Sequence, residues 1–150
     1  LKTPGKLIGS IAYVLGNSGL ISFDYSRKNY ANTSFNTNDN SLDNALNSDI
    51  INTFRAANSY KIGAELRQKN FSFRGGYRLE ESPYKDTSIA GDLKGFSLGL
   101  GYSFGNSKVD LAYENIKQKT LQQLYQSGSL DAASINNKNS IVTLTLSLDL

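Results

Sequence analysis

Apolar and polar residues alternate along most of this chain with a period of two, the pattern of a strand whose faces meet different surroundings. It is clearest in SIVTLTLSLDL. There Val142, Leu144, Leu146, Leu148 and Leu150 share one parity, and Thr143, Thr145, Ser147 and Asp149 the other. Seven strands are predicted on this basis: Leu7 to Leu15, Leu20 to Tyr30, Ser59 to Gln68, Phe71 to Glu80, Gly95 to Phe104, Lys108 to about Lys119, and Ser140 to Leu150. Most run about nine to twelve residues. That is above the common ~5–6 of globular strands and near the ~9–11 a tilted strand needs to cross a bilayer.

The connections alternate in length. Tight turns are expected at Asn17-Ser18-Gly19, with Gly19 in the left-handed conformation, at Lys69-Asn70, and at Asn106-Ser107. Between them lie polar stretches from Ala31 to Asn58, Glu81 to Lys94, and about Thr120 to Asn139. Short turns on one side and long loops on the other are the signature of a transmembrane β-barrel. In the first long stretch Leu42, Ala45, Leu46, Ile50 and Phe54 recur near helical spacing after Ser41, a candidate N-cap, which predicts a short loop helix.

Parity assigns each strand two faces. One carries Tyr60, Ile62, Ala64 and Leu66, then Phe71, Phe73, Gly75, Tyr77 and Leu79, then Phe96, Leu98, Leu100, Tyr102 and Phe104. The other carries Lys61, Gly63, Glu65 and Arg67, then Ser72, Arg74, Gly76, Arg78 and Glu80, then Ser97, Gly99, Gly101 and Ser103. In a soluble sandwich the apolar face is the core; in an outer-membrane barrel it meets lipid and the polar face lines the lumen. Alternation alone does not separate the two. Strand length and loop asymmetry favour the barrel. So do aromatics at two heights: Tyr13, Phe71, Tyr102 and Phe104 near the turns, and Tyr25, Tyr60, Tyr77 and Phe96 further up. So do the small residues on the polar face, which weaken a solvated strand but leave room in a lumen.

With Lys69-Asn70 as a hairpin turn, Gln68 opposes Phe71, Glu65 opposes Arg74, and Lys61 opposes Arg78 with Glu80 on the diagonal. Such opposite-charge pairs are worth roughly 0.2–1 kcal/mol. Lys61, Glu65, Arg67, Arg74, Arg78, Glu80, Asp110 and Glu114 are therefore expected to form a lumen-facing charge network.

Composition narrows the chemistry. The chain has 150 residues, a formal net charge of +3, and no Cys, His, Trp or Met. Zero Cys removes disulfides, thiolate zinc sites and thiol nucleophiles; zero His removes the commonest base and metal ligand. The charge is too small to argue for nucleic acid. The carboxylates Asp24, Glu65, Glu80, Asp110 and Glu114 could in principle serve a glycosidase, but they sit among Lys and Arg and read as wall charges. The GxG in Gly99-Leu-Gly101 is followed by no predicted helix, so no pyrophosphate site is expected. Two glycosylation sequons, at Asn32 and Asn70, are chance matches in the expected compartment. No catalytic residue, metal or cofactor is predicted. Arg27, Lys28, Arg55 and Lys85, near the predicted outer end, would either meet lipopolysaccharide phosphates or simply be solvated.

Four segments carry a resemblance: TPGKLIGSIAYVLGNSGLISFDYSRKNY, SYKIGAELRQKNFSFRGGYRLEESPYKD, GDLKGFSLGLGYSFGNSKVDLAYEN and the terminal NNKNSIVTLTLSLDL. Together they resemble the C-terminal half of FadL-type outer-membrane transporters of long-chain fatty acids and hydrophobic compounds, in the flavour of the Bacteroidetes-like branch. The resemblance implies a barrel of about 14 strands, in the even-numbered range of bacterial barrels, plugged by an N-terminal hatch. It implies outer-membrane lipid, lipopolysaccharide and hydrophobic small molecules as partners. The hatch and early strands that carry the family's ligand sites are not in this sequence, so none of those residues is carried over. The expected outer capture groove is instead assigned to Leu42, Leu46, Ile50 and Phe54 of the loop helix. Seven strands leave two edges, so an incomplete barrel, or one completed by a missing half or another chain, is expected. A structural or adhesive barrel and a soluble sandwich or lipocalin-like module are the alternatives.

Overall fold

The computed structural model describes residues 1–122 and 133–148. The elements are β1 (Lys6–Leu15), β2 (Gly19–Asn29), a 3-10 turn (Tyr30–Asn32), α1 (Asn40–Thr53), β3 (Ala56–Gln68), β4 (Phe71–Glu80), β5 (Leu93–Phe104), β6 (Ser107–Gln122) and β7 (Ala133–Leu148). The seven strands form one antiparallel sheet in the order β1-β2-β3-β4-β5-β6-β7. Every neighbour in sequence is a neighbour in space. The sheet is not closed: β1 and β7 stand at its two edges.

The predicted register of the β3–β4 hairpin is the observed one, with Gln68 opposite Phe71, Glu65 opposite Arg74 and Lys61 opposite Arg78. Both parities therefore run unbroken across the sheet. On one face a row passes through Leu66, Phe73, Leu100, Leu111 and Leu144, each directly paired with the next. The face stays apolar from Phe104 up to Phe96 on β5, eight residues and about 27 Å at ~3.4 Å per residue. Aromatic side chains cluster at its two ends. Near the turns the Phe71 and Tyr102 rings lie 4.8 Å apart; toward the loops Tyr25 and Tyr60 lie 5.5 Å apart. The Tyr25 hydroxyl donates to Asn58 Oδ1 at 2.9 Å, which anchors the upper group.

Nothing covers this face among the described residues. The only buried hydrophobic residue among them, Ala57, has the polar parity of β3, while on the apolar face Leu144 keeps 72% of its surface and Leu98 59%. The chain exposes 10912 Å². A compact protein of 16.4 kDa would expose about 7500 Å² by the usual mass scaling. One sheet layer cannot bury both its faces, so this chain has no core of the soluble-sandwich kind among its described residues.

Several local details differ from the sequence reading. In the β1–β2 turn the left-handed residue is Gly16, at φ 55°, and not Gly19. Gly19 pairs with Leu15 as the first residue of β2, where a Cβ would strike the Glu65 carbonyl oxygen. The β3–β4 turn places Lys69, not Asn70, at positive φ. The β5–β6 turn is Gly105-Asn106, with Gly105 at φ 61°, and Ser107 already pairs with Phe104. In each two-residue loop the first position carries the strain, which Gly avoids and Lys69 must accept.

The strands also extend further at the long-loop end. β3 begins at Ala56, β5 at Leu93, and β6 and β7 pair from Ser107 and Leu148 out to Gln122 and Ala133. The predicted loop from Thr120 to Asn139 is thus strand over its two described ends. Its segment SINNKNS lacks alternation because both faces of that part of the hairpin are polar, and cross-strand backbone pairing needs no side-chain period. Residues 123–132, Asp149 and Leu150 lie outside the described residues.

The helix is present, but Asp39 caps it rather than Ser41. Its carboxylate accepts from the backbone N–H groups of Ser41 at 2.9 Å and Leu42 at 3.1 Å. A carboxylate both satisfies the free amides and complements the helix dipole.

Candidate functional site

The polar face of β3 to β6 is organised around two arginines of β4. Arg74 Nε donates to Glu65 on β3 at 2.8 Å, and its Nη1 to Asp110 on β6 at 2.5 Å. Glu65 also holds Arg67 at 2.5 Å, and Asp110 holds Lys108 at 3.0 Å. The result is one chain of alternating charge, Arg67–Glu65–Arg74–Asp110–Lys108. Arg78 makes a second link, to Glu114 on β6 at 3.3 Å.

Both arginines reach past a strand. β5 lies between β4 and β6, and its residues opposite Arg74 and Arg78 are Gly99 and Gly95. Gly101 sits between Ser72 and Asp110 in the same way. A Cβ at Gly101 would collide with Ser72 Oγ and Asp110 Oδ1, and one at Gly95 would lie 3.0 Å from Arg78 Nε. The missing side chains form a trough over which the guanidinium groups lie. On the opposite face Gly75 has nothing within 4 Å of the same position.

Among the sequence-predicted network, Glu65, Arg67, Arg74, Arg78, Asp110 and Glu114 are joined. Lys61 and Glu80 form no ion pair among the described residues. Arg78 is offset by Glu114, not by the diagonal Glu80, and Lys61 has Asp24 as its register partner on β2. Sequence reading missed Lys108, although it stands two residues from Asp110 and so shares its face. It also missed that Gly95 and Gly99 stand directly opposite Arg78 and Arg74. On β1 and at the turn end of β2 the same parity is largely apolar, with Ile8, Ala12, Val14 and Leu20.

The four loop residues are less united. Leu42, Leu46 and Ile50 follow one stripe of α1, with Leu42 exposed and the other two partly exposed. Phe54 is the C-cap, already extended; it bridges to Tyr84 and its ring lies 5.1 Å from the Tyr84 ring. What the helix turns inward is polar. Asp43 accepts from Thr37 N at 2.7 Å, and the Asn47 side chain brackets the Phe35 backbone. Of the outer-end cations, Arg55 is spent on the Ser82 carbonyl at 3.0 Å and Lys28 lies 4.8 Å over the Tyr30 ring.

Comparison with family models, with curated proteins and with solved structures finds no match to this chain.

Proposed function

We propose that this chain is part of the wall of an outer-membrane β-barrel in a Gram-negative bacterium, and that the barrel passes hydrophobic compounds such as long-chain fatty acids. The observation that carries the reading is the exposed apolar band, about 27 Å long between two aromatic groups, on a sheet that has no second layer among the described residues. Water would leave such a face unstable; hydrocarbon suits it. The polar face then lines the interior. The charge ladder joins β3, β4 and β6 there, reaching across β5, where backbone pairing alone would leave the wall free to flex. The open edges of β1 and β7 require partners in lipid, because unpaired backbone groups cost several kcal/mol each.

Transport of this kind calls for no bond to be made or broken. A hydrophobic substrate must cross a hydrated surface layer and then be received by apolar walls, where burial is worth roughly 0.8 kcal/mol per CH₂. Leu42, Leu46 and Ile50 on the loop helix supply a first apolar contact at the long-loop end. The lumen-parity Ile8, Ala12 and Val14 on β1 supply a continuation that the charged strands do not.

The test is uptake of a radiolabelled long-chain fatty acid by cells carrying the intact protein. Uptake above a strain lacking it supports the reading; equal uptake contradicts transport and favours a structural or adhesive barrel. The Leu46→Ala/Ile50→Ala variant should lower uptake severalfold with the protein still folded in the membrane. Unchanged uptake and affinity would remove the helix from the path.

A further inference from the structure

The apolar face does not fade uniformly toward the loops. On β5, β6 and β7 its rows pass in order through Leu100–Leu111–Leu144, Leu98–Tyr113–Val142 and Phe96–Asn115–Ser140, and then to Lys94–Lys117–Lys138. Three lysines thus face one another directly on adjacent strands, all exposed. Lys119 joins them one position up the same face of β6. Together with Asp92 they line a groove of about 570 Å³. No ion pair involves any of the four among the described residues. Asp92, the one carboxylate in the lining, accepts from Ser82 N at 2.9 Å.

Like charges directly opposite on a sheet are destabilising, by an amount of the same size as an opposite pair stabilises. On the polar face the opposed Lys61 and Arg78 are flanked by Asp24 and Glu114. Here four ammonium groups meet one carboxylate. The sequence of surroundings along these strands is hydrocarbon-facing leucine, then aromatic and amide, then ammonium. The Phe96 and Tyr113 rings lie 5.8 Å apart, and Asn115, only 2% exposed, donates to Ser140 Oγ at 2.8 Å. That order is the order of a lipid leaflet: acyl chains, interface, phosphate.

We infer that Lys94, Lys117 and Lys138, with Lys119, form a binding site for a phosphate-bearing lipid headgroup of the leaflet on the long-loop side. The inference rests on the membrane reading above. Charge complementarity selects the occupant. A dianionic phosphate neutralises the lysine row through charge-assisted hydrogen bonds. The apolar rows four and six residues below, about 14 and 20 Å at ~3.4 Å per residue, receive the acyl chains of the same molecule. A free phosphate would use only the first of these.

The intact protein in zwitterionic detergent is titrated with diphosphoryl lipid A, with its dephosphorylated form, and with inorganic phosphate. Folding is followed by resistance to unfolding on unheated gels. The wild type should bind the diphosphoryl lipid at least ~10-fold more tightly than either other probe and gain resistance to unfolding when it binds. Lys94→Ser/Lys117→Ser/Lys138→Ser should lose that preference. Without phospholipid it should be at least as resistant as the wild type, because the repulsion is gone. Lys69→Ser, at the opposite rim, should behave as wild type. Equal binding by the triple variant overturns the site. Equal binding of inorganic phosphate and lipid overturns its assignment to a lipid. A wild type that never enters detergent micelles or bilayers overturns the membrane reading itself, a separate result from either.

Discussion

The two faces of this sheet obey opposite rules. On the apolar face there is room at mid-sheet, where Gly75 could gain a methyl group without meeting anything within 4 Å. On the polar face side chains interlock, and Gly101 could gain none without striking Ser72 and Asp110. β5 carries both rules: Phe96, Leu98, Leu100, Tyr102 and Phe104 on one side, Gly95, Ser97, Gly99, Gly101 and Ser103 on the other. The difference teaches where the structure is specified. The apolar face asks only for hydrophobicity and depends on its surroundings for the rest. The polar face asks for particular residues in particular rows, since each arginine needs a gap beneath it and a carboxylate beyond it.

The largest effect should come from reversing the apolar face. Leu144→Arg, in the middle of the band, should cost about 2–4 kcal/mol in a bilayer, the range for a basic residue at mid-depth on a barrel's lipid face. Urea unfolding in vesicles measures it. A water-facing leucine would give no loss, so a neutral result would abolish the contrast. Next, Gly101→Val should cost about 1–3 kcal/mol through overpacking of the trough, while Gly75→Ala should change stability by less than about 0.5 kcal/mol, the usual surface range. Equal effects at the two glycines would contradict the difference in crowding.

A smaller loss is expected for Arg74→Met. Its pairs are only partly shielded, with 35% of the Arg74 side chain and 14% of Glu65 exposed, so roughly 1 kcal/mol is expected, toward the upper end for open ion pairs. A double-mutant cycle with Asp110→Asn should show coupling, and its absence would mean that the two ends of the ladder act separately. Smallest in reach is Asp39→Ala. It should remove roughly 1 kcal/mol from α1 and leave the sheet unchanged, as read by circular dichroism and amide exchange.

Most of the sheet was legible because period-two patterning and turn length together fix strand, face and register. The Glu65–Arg74 pairing followed from one turn alone. Where the reading failed, the controlling interaction was not local. Gly19 is held to glycine by β3, whose Glu65 carbonyl leaves it no room for a Cβ, while the positive φ falls to Gly16. The outer part of the β6–β7 hairpin has polar residues on both faces, so side-chain period carries no signal there. Asp39 lay just ahead of the helical spacing that drew attention to Ser41. The Arg74–Asp110 contact joins β4 to β6 across β5, and no hairpin rule reaches across a strand. The glycines of β5 were noticed as small residues on a polar face; their purpose became readable only with the arginines laid over them.

The alternation on β5 offers the most direct test that one face meets lipid and the other water. This chain contains no cysteine, so with any cysteine elsewhere in the intact protein replaced by serine, a single introduced Cys carries the only spin label. Labels placed one at a time along residues 95–104, with the intact protein in bilayers, report access to oxygen dissolved in lipid and to a nickel complex dissolved in water. Positions 96, 98, 100 and 102 should favour oxygen, and 97, 99, 101 and 103 should favour nickel, in strict alternation. High nickel access at both parities would contradict the account.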